Sequence, residues 1–217
     1  MNRTEFIIDC WNYYLHLEKD FIKLTRYIAI HKDNYKTFSD EVHKQLLSVA
    51  MEFENLNKKI SKELQVTLPE KCSINDFTNW LFKDENLSKN IVINVLYSKE
   101  NIELTPFKKE RYKYRNKDGK EIEKEQMPWW RAYNAIKHDR YTSYSEVNFE
   151  HLLNALAALN YCEMYLVKEI GDKTDEIDVP NEYSELFEIE NWITKDSVIK
   201  KGMSFARIEE IDEMFKR

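Results

Sequence analysis

The sequence predicts a mainly α fold: an antiparallel helical bundle with a small β-hairpin insertion and a short C-terminal appendage. Three observations carry this expectation. Apolar residues recur at steps of three and four over three long stretches. Only 3 Gly and 4 Pro occur in 217 residues, which disfavours folds that need many tight turns. At 42% apolar and 13% aromatic residues the chain can bury a substantial core and is unlike a disordered composition. Residues 1–171 are expected to form the bundle, with the insertion at about 90–125, and residues 172–217 an acidic appendage packed on or extending from it.

Phe6, Cys10, Tyr14, Leu17, Phe21, Leu24 and Ile28 form one apolar stripe, predicting a helix over about residues 4 to 31. "KDNYKTFSD" interrupts it. Val42, Leu46, Val49, Phe53, Leu56, Ile60 and Leu64 repeat the pattern from about 38 to 65, so the two helices should form an antiparallel hairpin. Ser73 or Asn75 is placed to cap a third, short helix in "INDFTNWLFKD". "IVINVLY" is compact and β-branched and reads as a strand. Asp118-Gly119 lies between two extended arms in "KYRNKDGKEIEK", a hairpin signal. Pro128 sits where a first helical residue belongs, and that helix should run to about 140. "NFEHLLNALAALNYCEMYLVKEIG" is the most apolar helix, expected to end at Gly171. "YSELFEIENW" reads as an edge strand and "SFARIEEIDEMFKR" as a short amphipathic helix.

Composition also narrows the function classes. Cys10, Cys72 and Cys162 are scattered and odd in number, with no Cys-x-x-Cys pair, so a zinc ribbon or dithiol redox motif is excluded. Reduced thiols in a cytoplasmic protein are expected. The N-terminus meets Asp9 too early for a signal peptide, and no apolar run approaches the roughly 18 residues of a membrane span. The net charge of −6 argues against sequence-blind coating of nucleic acid, but not against a local basic site.

The candidate site lies in "WWRAYNAIKHDRY", residues 129 to 141. On a helical wheel Trp129, Tyr133 and Ile136 share a core face, while Arg131, Asn134 and His138 share the opposite one. Their spacings let all three touch one small object. The plain alternative is the wet side of an amphipathic helix, with His138 favoured by the negative C-terminal end. His16, His31, His43 and His151 lie on separate segments without ligand spacing and read as surface or core-edge histidines, so no metal and no cofactor is expected.

Arg131, the six residues "AYNAIK" and His138, followed by the long apolar helix "NFEHLLNALAAL", resemble the HEPN superfamily. "YNAIKHDR" is also similar to uncharacterised bacterial relatives of that family. The resemblance covers residues 127 to 170 and extends to the two N-terminal helices only in architecture. It implies a small α-helical, metal-independent endoribonuclease or RNA-binding protein of phage-defence or toxin–antitoxin systems. It also implies a homodimer that builds its site across a two-fold axis, and an antitoxin or defence partner. Ala132 departs from the family pattern, which has a polar residue after the arginine; Asn134 is the nearest substitute. The competing expectation is a non-catalytic helical interaction protein with the same fold.

The residue types suit the implied chemistry. RNA supplies its own nucleophile in the 2′-hydroxyl. Histidine moves a proton near neutral pH, and arginine offers a fork of donors to a phosphate. Asn134 would orient the phosphate or the imidazole.

A second candidate is "FKKERYKYRNKDGK", residues 107 to 120, where seven cations meet two acidic groups. Lys113, Arg115 and Lys117, interleaved with Tyr112 and Tyr114, suit a single strand of RNA, with phosphates on the cations and bases on the rings. The alternative is a solvated hairpin whose lysines protect an edge strand. Residues 172 to 190 carry eight acidic groups against Lys173 alone, and are expected to cover the basic ribbon or to act as a solvated linker.

Overall fold

Asn2 starts the first helix. Its side chain accepts from the Glu5 N–H at 2.9 Å, while the Glu5 carboxylate accepts from the Asn2 N–H at 3.0 Å, a capping box. Helix α1 then runs through Arg3–Phe6, a π-helical turn Ile7–Trp11, and Asn12–Leu24. The computed structural model describes residues 1–67, 69, 72–82, 91–115, 118–139, 141–174 and 177–194.

The apolar spacing predicts α1 to about residue 31, but the helix stops at Leu24. Thr25 donates its hydroxyl to the Ile22 carbonyl at 2.7 Å, and the N–H groups of Arg26 and Tyr27 reach back three residues, to Lys23 and Leu24. The last turn tightens and the chain leaves the axis. Ile30 still reaches the core, so the apolar period outlasts the helix.

Helix α2, Asp40–Glu63, begins where Ser39 caps the Val42 N–H at 3.2 Å. It runs antiparallel to α1: the Met1 amino group pairs with Glu63 at 2.7 Å, Lys59 with Asp9 at 3.1 Å, and Gln45 donates to the Asp20 carbonyl at 3.2 Å. Helix α3, Ile74–Leu81, opens on a capping box made by Ser73 and Asp76.

The strands divide differently from the single expected insertion. β1, Ile93–Val95, is the centre of a three-stranded antiparallel sheet. On one side it pairs with β2, Glu103–Leu104, and on the other with β5, Phe187–Ile189, from the C-terminal part of the chain. β3, Glu110–Arg115, and β4, Glu121–Gln126, form a separate hairpin in which Arg115 faces Glu121. Gly119, at φ 74°, supplies the left-handed turn residue that the Asp-Gly pair predicts.

Helix α4, Pro128–His138, has proline in its first turn, as expected. Helix α5, Phe149–Thr174, is the spine of the core, with sixteen buried residues. It packs against α1, α2 and α4; Phe21 of α1 stacks on Phe149 at 5.3 Å. Gly171 does not end α5, which continues to Thr174. Its role is close approach: a Cβ there would lie 2.7 Å from the Cα of Asp178 in the returning chain.

Residues 177–194 fold back onto the helices. The Val179 carbonyl accepts from Arg3 at 2.8 Å, and the Glu182 carbonyl from the Trp11 indole at 2.9 Å. Leu186 and Phe187 are buried. The fold is therefore mainly α with a small antiparallel sheet. Among the described residues no helix is long and apolar enough to cross a membrane. The helix expected over "SFARIEEIDEMFKR" lies outside the described residues.

Candidate functional site

Helix α4 is positioned from both ends. The Trp129 indole donates to the Pro106 carbonyl at 2.7 Å, tying its start to the loop before β3. At its end Asp139 accepts from the N–H groups of Tyr141 and Thr142 and from the Thr142 hydroxyl, the last at 2.6 Å. Those bonds hold the Asp139 carboxyl below its usual range and close an Asx turn that stops the helix. Trp129, Tyr133 and Ile136 are buried as the wheel predicts, and Trp130 and Ala132 are buried with them. Tyr133 donates to Glu54 of α2 at 3.2 Å.

Arg131, Asn134 and His138 lie on the remaining side, the first two half-buried and His138 exposed in the final turn. They share a face, but Arg131 and His138 are two turns apart, about 10 Å along the axis. The guanidinium of Arg131 lies over the Tyr112 ring, 5.2 Å from its centroid. It makes no ion pair among the described residues.

Strand β3 separates its own cations from its rings. Tyr112 and Tyr114 share one face, their centroids 6.1 Å apart. Lys124 sits 4.9 Å from the Tyr114 ring. Arg111, Lys113 and Arg115 project from the other face, opposite Glu125, Glu123 and Glu121. Arg111 pairs with Glu125 and Lys113 with Glu121, both at 2.8 Å. The basic ribbon is thus balanced by glutamates of its own β4. Lys117 lies outside the described residues.

Arg131 also lines a polar cavity of about 410 Å³ that the sequence did not suggest. Its other charged walls are Lys36, Lys108, Glu110, Glu150 and His151, with the Asn154 amide beside them. Its construction is local. Asn148 caps α5 by accepting the His151 N–H at 3.0 Å. The next free N–H groups, of Phe149 and Glu150, donate to the carbonyls of Thr37 and Tyr35 at 2.8 and 3.1 Å. That docks the loop after α1 on the start of α5 and brings Lys36 to Glu150 at 3.0 Å. Lys108 arrives with the turn that its N–H closes onto the Thr105 carbonyl at 3.0 Å.

His151 is the unusual group. Burial, aided by the charges of Lys36 and Arg131, lowers its pKa to about 4; Glu150 and the backbone of Glu146 oppose the shift. Its Nδ1 is buried without a hydrogen-bond partner. His151 read as a core-edge histidine because it stands alone in sequence. The available signal was its three-residue spacing from Asn154 on the polar side of an otherwise apolar helix.

Cys10 and Cys162 are buried and Cys72 is exposed, all three as free thiols. Among the described residues no three His, Cys, Asp or Glu side chains are grouped to hold a metal ion. No protein-family model, curated protein or solved structure matches the chain.

Proposed function

We propose that this chain is a HEPN-like protein that engages single-stranded RNA through Arg131 and cuts it without a metal, as a homodimer in a bacterial defence or toxin–antitoxin setting. The observation that carries the reading is the state of Arg131. Its guanidinium is half-buried, backed by an aromatic ring at 5.2 Å, and lacks a carboxylate partner among the described residues. Such an arginine is preorganised for a phosphate. In the proposed reaction a histidine takes the proton of the RNA 2′-hydroxyl. The 2′-oxygen then bonds to phosphorus, and the bond to the 5′-oxygen breaks as that oxygen takes a proton back from the imidazolium so formed. Arg131 holds the non-bridging oxygens, and Asn134 orients the group. With His138 two turns from Arg131 on its own helix, the histidine of a second copy is the fitting partner.

The test is cleavage of single-stranded RNA by purified protein with a chelator present. A 2′,3′-cyclic phosphate end is expected, lost in Arg131→Ala and in His138→Ala with the fold retained. Equal cleavage by wild type and His138→Ala would place the chemistry elsewhere or expose a contaminant.

A second reading, a non-catalytic interaction protein of the same fold, is favoured by one observation. Ala132, where the family pattern has a polar side chain, is only 2% exposed. RNA binding or dimerisation without cleavage at any pH would select it.

A further inference from the structure

We propose that the cavity between α4 and the first turn of α5 binds a phosphate monoester dianion, held by Arg131 and Lys108 beside His151. The proposal shares Arg131 with the function above and concerns which phosphate that residue holds.

The charge arrangement supports this. Lys36 and Glu150 neutralise one another at 3.0 Å. That leaves Arg131 and Lys108 lining the cavity with no ion pair among the described residues. Glu110, on the exposed rim, is the one remaining carboxylate lining the cavity. Two cations without an ion-pair partner among the described residues, one from α4 and one from the loop before β3, suit a ligand that carries two negative charges. The cavity, at about 410 Å³, is larger than a phosphate alone requires, leaving room for the group that carries it.

His151 makes the binding proton-linked. The groups around it are Lys36 from the loop after α1, Arg131 from α4, Glu150 on its own turn and the Glu146 backbone. Two of these are cations that oppose its protonation, and burial opposes it further. A dianion adds its negative charge to that of Glu150 and offsets the two cations. The imidazole then takes up a proton as the ligand enters, and the cavity with its ligand, Glu110 and an imidazolium is electrically balanced.

The full chain is titrated calorimetrically with inorganic phosphate and with a nucleoside 5′-monophosphate, in buffers of different ionisation enthalpy between pH 6 and 7.5. A short oligoribonucleotide is compared with and without a 5′-phosphate. Binding of phosphate is expected, with the proton taken up by His151 set against whatever the ligand itself releases in becoming a dianion. Arg131→Ala should weaken it roughly tenfold or more, and Lys108→Ala by a smaller factor. His151→Gln should lower the net proton uptake, the ligand's own release being the same in both proteins, while phosphate still binds. A preference for the 5′-phosphorylated oligonucleotide assigns the ligand to an RNA end; binding of the two small ligands without that preference assigns it to a free phosphorylated metabolite. Failure of all three phosphates to bind overturns the proposal, as does unchanged proton uptake in His151→Gln. RNA cleavage that ignores the 5′ end, with no phosphate binding, would sink this inference and leave the proposed function standing; phosphate binding without cleavage would do the reverse.

Discussion

Glu18 and His151 are both ionisable groups drawn out of water, and the protein surrounds them differently. The Glu18 carboxylate, 1% exposed, accepts from the Tyr14 hydroxyl at 3.0 Å, the Leu186 N–H at 3.1 Å, the Glu185 N–H at 3.3 Å and the Ser184 hydroxyl. Both carboxylate oxygens have a donor, and three of the four donors come from the returning chain, the fourth from Tyr14 on α1 itself. The His151 imidazole has an orphan Nδ1, two cations and one carboxylate around it, and a cavity beside it. A fully matched polar cluster is a structural latch. An unmatched one that faces a cavity is free to answer a ligand. The hairpin belongs with the latch, its cations matched by its own glutamates, and Arg131 belongs with His151.

The largest expected effect is at the latch. Glu18→Ala removes the acceptor shared by the buried Leu186 N–H, the Glu185 N–H and the Ser184 and Tyr14 hydroxyls, and should cost about 3 kcal/mol. Hydrogen exchange should show residues 184–189 opening first. Burial outweighs these donors and raises the Glu18 pKa. Its folded value thus lies above its unfolded one, and stability falls as pH rises from the unfolded value toward the folded one. Glu18→Gln should flatten that slope. Wild-type protection of residues 184–189 in Glu18→Ala would dissolve the contrast between latch and pocket.

At His151 the sign is the opposite. A folded pKa of about 4 lies below the ordinary 6.5, so the unfolded chain binds the proton first as pH falls. Stability present above pH 6.5 is lost on the way down to 4, by up to about 3 kcal/mol. Urea unfolding of wild type and His151→Gln should diverge across that window, the variant losing less. Parallel curves would mean that His151 is solvated and the cavity ordinary.

A third group tests whether lacking partners is enough to mark a site. Glu163 on α5 is 0% exposed, neither carboxylate oxygen has a partner, and burial holds its pKa well above the usual range. It lines none of the cavities around Arg131 or Trp192. With the folded pKa raised, stability is lost as pH climbs above 4.5. Glu163→Met should therefore stabilise the protein at pH 8 by about 2 kcal/mol and by less at pH 5, with phosphate binding untouched. A loss of phosphate binding in this variant would show that orphaned buried groups act together here.

Much of this layout is legible in sequence wherever one segment decides its own structure. Ser73 caps, Pro128 begins a helix, Asp118-Gly119 turns a hairpin, and the wheel of α4 separates Trp129, Tyr133 and Ile136 from Arg131. What is lost depends on distant segments. β1 takes β5 as a neighbour across some ninety residues, so a strand pattern alone assigns it to the wrong sheet. Gly171 looks like a helix stop because its reason, Asp178 pressed against it, is a tertiary contact. The basic ribbon ends its count at Lys120, just before the glutamates that match it. His151 has only Glu150 and the Glu146 backbone as partners near it in sequence; Lys36 and Arg131 arrive from the loop after α1 and from α4.

The smallest effect concerns that ribbon and sharpens the same comparison. Each free cation on a single-stranded RNA contact contributes roughly 0.7 to the salt slope of binding. Lys113 already sits 2.8 Å from Glu121, and Arg115 faces Glu121 in the register of the hairpin. A phosphate must compete with those carboxylates, so little counterion release is gained there. Arg131 has no such competitor among the described residues. Replacing Lys113 and Arg115 together by Ala should therefore move the salt slope of RNA binding less than Arg131→Ala does alone, although two charges are removed instead of one. The measurement is RNA affinity of the three proteins across a range of salt concentrations. A double-variant shift of about 1.4 would mean that RNA displaces the glutamates and that the ribbon is a binding surface in its own right. Matched charges would then no longer separate scaffold from site in this protein.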